Sequence, residues 1–122
     1  EGAADPLCRV SGEGVWILDL IPAVRAMVEA LLRGRSCGDV AAAFHRVLPQ
    51  ALTAMAVLLR KETGLNRVAL SGGCYQNRLL LTGCLESLRR ADFEILRHRI
   101  VPPNDGCVSL GQAVSAAARA EG

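Results

Sequence analysis

Hydrophobic positions along this chain follow two periods. Short apolar runs at residues 15–18, Arg67–Leu70 and 93–96 read as strands bounded by polar or turn-forming residues. Elsewhere apolar residues return every three or four positions, the spacing of one helix face. Leu20, Val24, Met27, Val28, Leu31 and Leu32 predict a first helix, with Asp19 as N-cap, Pro22 in the first turn and Gly34 at the end. Val40, Phe44, Val47, Leu48, Leu52, Met55 and Leu59 predict a second, opening near Ser36 or Asp39 and running to Thr63. Pro49 sits in its middle and predicts a kink or a break into two helices, because proline lacks the amide donor and crowds the preceding turn. Leu79, Leu80, Cys84, Leu85 and Leu88 mark a third helix, and the last runs from about Val108 to Ala120. The order β-α-α-β-α-β-α predicts an α/β fold with a small parallel or mixed sheet and helices packed on it, since parallel strands need a crossover. Residues 1–122 read as a single domain, with 1–13 as a loose leader.

Three strands make a narrow sheet for so many helices, which points to part of a larger sheet and a larger protein. Composition narrows the function. Of 122 residues 51% are hydrophobic, and only four are aromatic (Trp16, Phe44, Tyr75, Phe93), so the core is aliphatic and no stacking platform for single-stranded nucleic acid is expected. Net charge is +2, and the fourteen basic residues are spread along the chain rather than gathered in a patch, which argues against a nucleic-acid partner. The longest apolar stretches, such as residues 51–59, fall short of the roughly 20 residues of a membrane span, so no membrane partner is expected. Five cysteines (Cys8, Cys37, Cys74, Cys84, Cys107) include no C-x-x-C pair and read as reduced, buried thiols of a cytoplasmic protein.

Two loops follow strands and precede helices, the edge at which α/β folds bind ligands. In Ser71-Gly72-Gly73-Cys74-Tyr75-Gln76-Asn77 the paired glycines allow close approach of a phosphate or nucleotide, and Asn77, about one turn into the helix, offers hydrogen bonds to a ribose or base. A plain tight turn accounts for the same glycines. In Pro102-Pro103-Asn104-Asp105-Gly106 two prolines stiffen the approach to Asp105, placed as an N-cap or as a carboxylate ligand to a divalent metal. His45, beside Phe44, reads as a packed or boundary residue, and His98, between Arg97 and Arg99, as solvent-facing; neither has a partner in the sequence that would make it catalytic. Arg97 and Arg99 read as a solvated face, or as one meeting an acidic partner.

The run from Val68 to Leu80, with its Leu70-Ser71-Gly72-Gly73 and Gln76-Asn77, closely resembles a stretch of the HypF-type carbamoyltransferases of nickel-iron hydrogenase maturation. His98-Arg99, Val101-Pro102-Pro103-Asn104-Asp105-Gly106 and Leu110-Gly111-Gln112-Ala113 resemble the end of the same family, and the helix around Phe44-His45 is also similar. The resemblance implies the carboxyl-terminal lobe of an actin-like ATPase (ribonuclease H-like) fold, in which two lobes close on a nucleotide. It implies an enzyme that uses carbamoyl phosphate and ATP to form carbamoyl-adenylate, then passes the carbamoyl group to the terminal cysteine of HypE for cyanide ligand synthesis. By the same resemblance Gly72, Gly73 and Asn77 match a nucleotide-contacting corner and Asp105 an aspartate of a metal site; no residue here matches a catalytic one. Cys74 and Tyr75 depart from the more usual Val and Phe, and Cys107 from a second Gly. The family's acylphosphatase-like, zinc-finger and adenylation domains, and the amino-terminal lobe with its metal-binding histidines, are expected outside these residues. Expected partners are therefore HypE and the remaining domains of a longer protein, and the chain is not expected to catalyse alone. Two alternatives stand beside this reading: an interaction or dimerisation module that keeps the lobe, and a lobe of the tRNA threonylcarbamoyl-transfer type.

Overall fold

A computed structural model describes the backbone of residues 9–11 and all of residues 16–120. Strand β1 (Arg9–Ser11) pairs antiparallel with β2 (Ile17–Asp19), and helices α1 (Ile21–Leu32) and α2 (Cys37–Thr63) follow. Strand β3 (Arg67–Leu70), α3 (Arg78–Arg90) and β4 (Glu94–Arg97) form a parallel crossover unit, and α4 (Val108–Ala120) ends the described chain. The architecture is α/β, but the three expected strands do not share a sheet. β2 belongs to its own hairpin, using Arg9–Ser11 from the segment read as leader, while β3 and β4 alone form the parallel sheet. The remainder of residues 1–13 lies outside the described residues. Each of the two parallel strands thus keeps one edge unpaired among the described residues.

Helix α2 is the spine. Its Val47 and Ala51, one turn apart, pack with Ala23 of α1 and with Leu18, Leu20 and Met27 into one small core. On an adjoining stripe Leu48, Leu52, Ala56 and Val57 pack on the larger core of Leu70, Leu80, Cys84, Leu85, Leu88 and Phe93, which joins α3 to the sheet. By length and composition α2 is apolar enough to cross a membrane, although no single unbroken apolar run in it is long enough. Val47, Leu48, Ala51, Leu52, Ala56 and Val57 meet these two cores, while Phe44 and Leu59 are exposed. Ser36 caps it by accepting from the Asp39 N–H at 3.1 Å, and Gly64, at φ +72°, ends it.

Pro49 does not break α2, which runs unbroken from Cys37 to Thr63. The reason lies across the interface: Pro49 is buried against Gly83 of α3, where an added Cβ would fall 2.8 Å from the proline Cγ. Gly83 also faces the carbonyl oxygen of His45, four residues before Pro49 and therefore deprived of its helical donor. Tertiary packing keeps continuous what local chemistry would interrupt. At the other end of α2 the Arg60 guanidinium donates to Asn66 Oδ1 at 2.9 Å and to the Ala91 carbonyl at 2.8 Å, and lies 4.2 Å from the Phe93 ring centre, clamping α2, α3 and the start of the sheet. Helix α1 begins one residue later than expected: Leu20 is the N-cap, and Asp19 instead accepts from the Ile21 N–H at 2.9 Å.

Fifteen large hydrophobic side chains are exposed against nine buried apolar ones among the described residues. They include Val24, Val28, Leu31 and Leu32 on α1, Leu65 and Leu96 beside the open sheet edges, and Val108, Leu110 and Val114 on α4, which buries no residue.

Gly83→Ala is expected to lower stability by about 1–3 kcal/mol, because a methyl group meets Pro49 in a packed interface, although alanine favours helix elsewhere. Thermal or urea unfolding of the two chains checks it; an unchanged or higher midpoint contradicts the packing argument.

Candidate functional site

Parallel register brings the two loops singled out in the sequence together. Leu70 pairs with Arg97, so the chain leaves both strands at the same edge, at Ser71 and at His98. The Ser71 Oγ and His98 Nε2 are hydrogen-bonded at 2.9 Å. One residue further, the Gly72 N–H donates to the Pro103 carbonyl at 2.7 Å. Gly72 holds φ +110° and ψ 156°, a conformation essentially restricted to glycine, and no atom lies within 4 Å of where a Cβ would stand. The corresponding Cβ position on Gly73 is 3.9 Å from the Asn104 Cβ. Gly72, Gly73 and the proline loop therefore share one corner, with open space above the glycine backbone.

Within the proline loop Asn104, not Asp105, is the cap: its Oδ1 accepts from the Gly106 N–H at 3.1 Å and opens a 3-10 turn over Asp105–Cys107. Asp105 is exposed and has no hydrogen bond or ion pair among the described residues. Its expected capping role is thus corrected, and its carboxylate is left available. Among the described residues no group of three or more His, Cys, Asp or Glu side chains converges, so Asp105 fits one ligand of a shared metal site and not a complete site.

Asn77 stands at the amino end of α3 rather than a turn inside it. A 3-10 turn, Gly73–Gln76, which begins within the glycine pair, separates it from Gly72. Its Oδ1 accepts from the Leu79 and Leu80 N–H groups at 3.0 and 3.2 Å. Its Nδ2 is 2.9 Å from His45 Nε2, and His45 Nδ1 is 2.8 Å from the Ala41 carbonyl. Both histidines thus have partners that sequence reasoning missed. For His98 a signal was present: Ser71 and His98 each sit one residue beyond paired parallel strands. The Ser71–His98 pair does not have the surroundings of an activated nucleophile. The N–H that would face an adjacent oxyanion, that of Gly72, is engaged by Pro103, and no carboxylate contacts His98 among the described residues. The pair ties two loops.

Cys84 is 1% exposed, but Cys37 and Cys74 are exposed and Cys107 is half-buried, which corrects the expectation of uniformly buried thiols; Cys8 lies outside the described residues. Burial pushes the Cys84 thiol up, opposed by a hydrogen bond with Tyr75. Burial, and then the nearby Cys84 and Cys74, raise the Tyr75 phenol.

Residues 3–112 match the family described as "Carbamoyltransferase, Kae1-like Domain, second subdomain". This chain belongs to the HypF carbamoyltransferase family. It is 36% identical over 110 residues to carbamoyltransferase HypF of Rhizobium leguminosarum bv. viciae, covering 88% of this chain and 14% of that protein. It is 41% identical over 95 residues to HypF of Rhodobacter capsulatus, covering 78% of this chain and 13% of that protein. Among solved structures, full-length HypF in its phosphate- and nucleotide-bound form superimposes with a TM-score of 0.86 at 38% identity, over 94% of this chain and 15% of that one. The HypF of T. kodakarensis gives a TM-score of 0.74 at 29% identity, over 92% of this chain and 14% of that one. The chain thus spans about one seventh of the HypF proteins it matches.

Two outcomes follow from the corner's geometry. In the native chain a neutral maleimide is expected to label Cys37 and Cys74 but to reach Cys84 only after denaturation, as peptide mass mapping reads directly. Gly72→Ala forces a side chain into its unusual backbone region and is expected to lower stability by about 1–3 kcal/mol. An unchanged melting curve contradicts that.

Proposed function

We propose that this chain supplies one side of an ATP and divalent-metal site in a HypF-type carbamoyltransferase, as the carboxyl-terminal lobe of an actin-like ATPase fold. The observation that carries the reading is the convergence of both loops on one corner, held by the Gly72 N–H to Pro103 bond. The HypF of known structure that holds phosphate and nucleotide, 38% identical over this region, supports it. Gly72 and Gly73 let a phosphate oxygen approach the backbone. The N–H groups of Gly73 and Cys74 have no acceptor among the described residues and suit that anion. Asn77 meets the ribose or base side. Asp105 would hold the cation through its carboxylate, with the remaining ligands coming from elsewhere in the full-length protein. Arg97 and Arg99, exposed and without ion pairs among the described residues, add positive potential near the phosphates.

In the proposed reaction carbamoyl phosphate is hydrolysed to carbamate and phosphate, and a carbamate oxygen then attacks the α-phosphorus of ATP, giving carbamoyl-adenylate as the bond to pyrophosphate breaks. The terminal cysteine thiolate of HypE then attacks the carbamoyl carbon, and the bond to the adenylate oxygen breaks. Negative charge grows on the departing phosphate, where backbone N–H groups stabilise it. A divalent cation, when bound, neutralises part of the same charge. Dehydration of the resulting thiocarbamate leads to the cyanide ligands of the nickel-iron centre. In this reading the protein works in the cytoplasm, and neither nucleic acid nor membrane is a partner. The exposed apolar faces of α1, α4 and the sheet edges meet the remaining domains of the full-length protein. A second reading, pairing with another copy through those faces, is favoured by the same fifteen exposed hydrophobics.

Asp105→Asn in the full-length protein is expected to cut metal-dependent, carbamoyl-phosphate-driven ATP turnover at least tenfold and to leave the melting temperature within about 2 °C. The carboxylate has no structural partner among the described residues, so a loss of stability with activity unchanged would overturn the metal role.

A further inference from the structure

Asn77 has four hydrogen-bonding capacities, and three are already fixed. Its Oδ1 takes the Leu79 and Leu80 N–H groups and so uses both lone pairs. The third depends on His45. A backbone carbonyl only accepts, so the 2.8 Å contact with Ala41 requires the proton on His45 Nδ1. In the neutral ring Nε2 then only accepts, and the 2.9 Å contact makes Asn77 Nδ2 the donor. The cap on α3 and the imidazole on α2 agree on one orientation of the amide, and one Nδ2 hydrogen is left over.

We propose that His45 is a positioning residue for the nucleotide corner, locking Asn77 as a single hydrogen-bond donor, so that the ligand group it meets must be an acceptor. A ribose oxygen, a phosphate oxygen or an unprotonated ring nitrogen qualifies; an exocyclic amine or a ring N–H does not. The inference rests on the nucleotide reading above for the identity of the ligand and on the two hydrogen-bond chains for the geometry. His45 is suited to the task because the Phe44 ring packs edge-on against it, with centres 5.7 Å apart, and because it lies one helical turn before Pro49, where α2 packs against Gly83 of α3. The same α2–α3 contact that builds the fold therefore sets the aim of a binding side chain.

The test is a double-mutant cycle in the full-length protein, with ATP as the varied substrate. Asn77→Ser keeps a capping oxygen but is too short to reach His45, and is expected to raise the KM for ATP about tenfold. His45→Leu is expected to raise that KM three- to tenfold with kcat within twofold, and His45→Gln, whose amide oxygen can accept the same N–H, to restore most of it. In the Asn77→Ser background His45→Leu is expected to add nothing. An equal increase in both backgrounds means His45 acts by packing alone and overturns the proposal. If Asn77→Ser leaves the KM unchanged, the nucleotide reading fails instead. Amide exchange then decides the geometry separately. In the 122-residue chain the Asn77 side-chain NH2 signals should show one slowly exchanging hydrogen, lost in His45→Leu and kept in His45→Gln. Two freely exchanging hydrogens in the unaltered chain would sink the lock itself.

Discussion

The close approach of α2 to α3 at Pro49 and Gly83 is the constraint from which the rest of this structure follows. A proline inside a helix removes one hydrogen bond, and a glycine inside a helix costs about 1 kcal/mol against alanine. Each is a fault alone. Facing each other they let two backbones come close enough for Leu48 and Leu52 to reach Leu80, Cys84 and Leu88. That contact fixes the crossover helix over the parallel pair, and the pair in turn delivers Ser71 and His98 to one edge. Arg60 secures the opposite end, so the corner is cantilevered from a core braced at two points.

The corner itself is built from short-range bonds whose partners are far apart in sequence. Gly72 to Pro103, Ser71 to His98 and Asn77 to His45 span 31, 27 and 32 positions. Each links elements that the α2–α3–sheet unit has already brought close, so little further ordering is needed to form them. Outside this unit cohesion falls away: α4 buries nothing, and among the described residues both parallel strands keep a bare edge. A two-stranded parallel sheet is seldom self-sufficient, because parallel sheets are normally covered on both faces and extended at their edges. Most HypF relatives that the chain matches are about six to seven times its length, which fits that incompleteness.

What the sequence made legible was whatever depends on local pattern. Arg67–Leu70, the apolar face of α3 and the start of α4 at Val108 followed from period and turn residues, although the first turn of α3 was placed too early, and the family followed from the Ser71-Gly72-Gly73 and Pro102-Pro103-Asn104-Asp105 loops. What failed was long-range. No local signal shows that residues 17–19 pair backwards with Arg9–Ser11 instead of joining β3, since an apolar run is equally suited to either neighbour. The break allowed at Pro49 does not occur, and its compensation, Gly83, lies 34 positions away. His45 and His98 looked partnerless for the same reason. The cysteines were misread from composition, which reports averages, whereas the exposure of Cys37 and Cys74 depends on a helix start and a loop.

The division of work among neighbouring residues in the two loops explains why their spacing matters. Asn77 and Asn104 both use a side-chain oxygen to close a helical turn, and both are thereby held still. Asp105, adjacent to one of them, has no such duty among the described residues, and the Gly73 and Cys74 N–H groups precede the other. A side chain that must satisfy the backbone cannot also rearrange around a ligand, while one that is wholly free is not aimed. Placing a fixed cap next to an uncommitted carboxylate or N–H separates these demands: in the proposed site the Asn104 cap would set direction and Asp105 make the contact, whereas Asn77 is held by its capping oxygen and offers only its one remaining donor. Exchanging Asn104 and Asp105 would keep the composition, the charge and even a competent cap. It would still move the free carboxylate one residue back, toward the Gly73 side of the corner, and commit the charge to a backbone turn. Order within these loops, more than their content, therefore decides what the corner can hold.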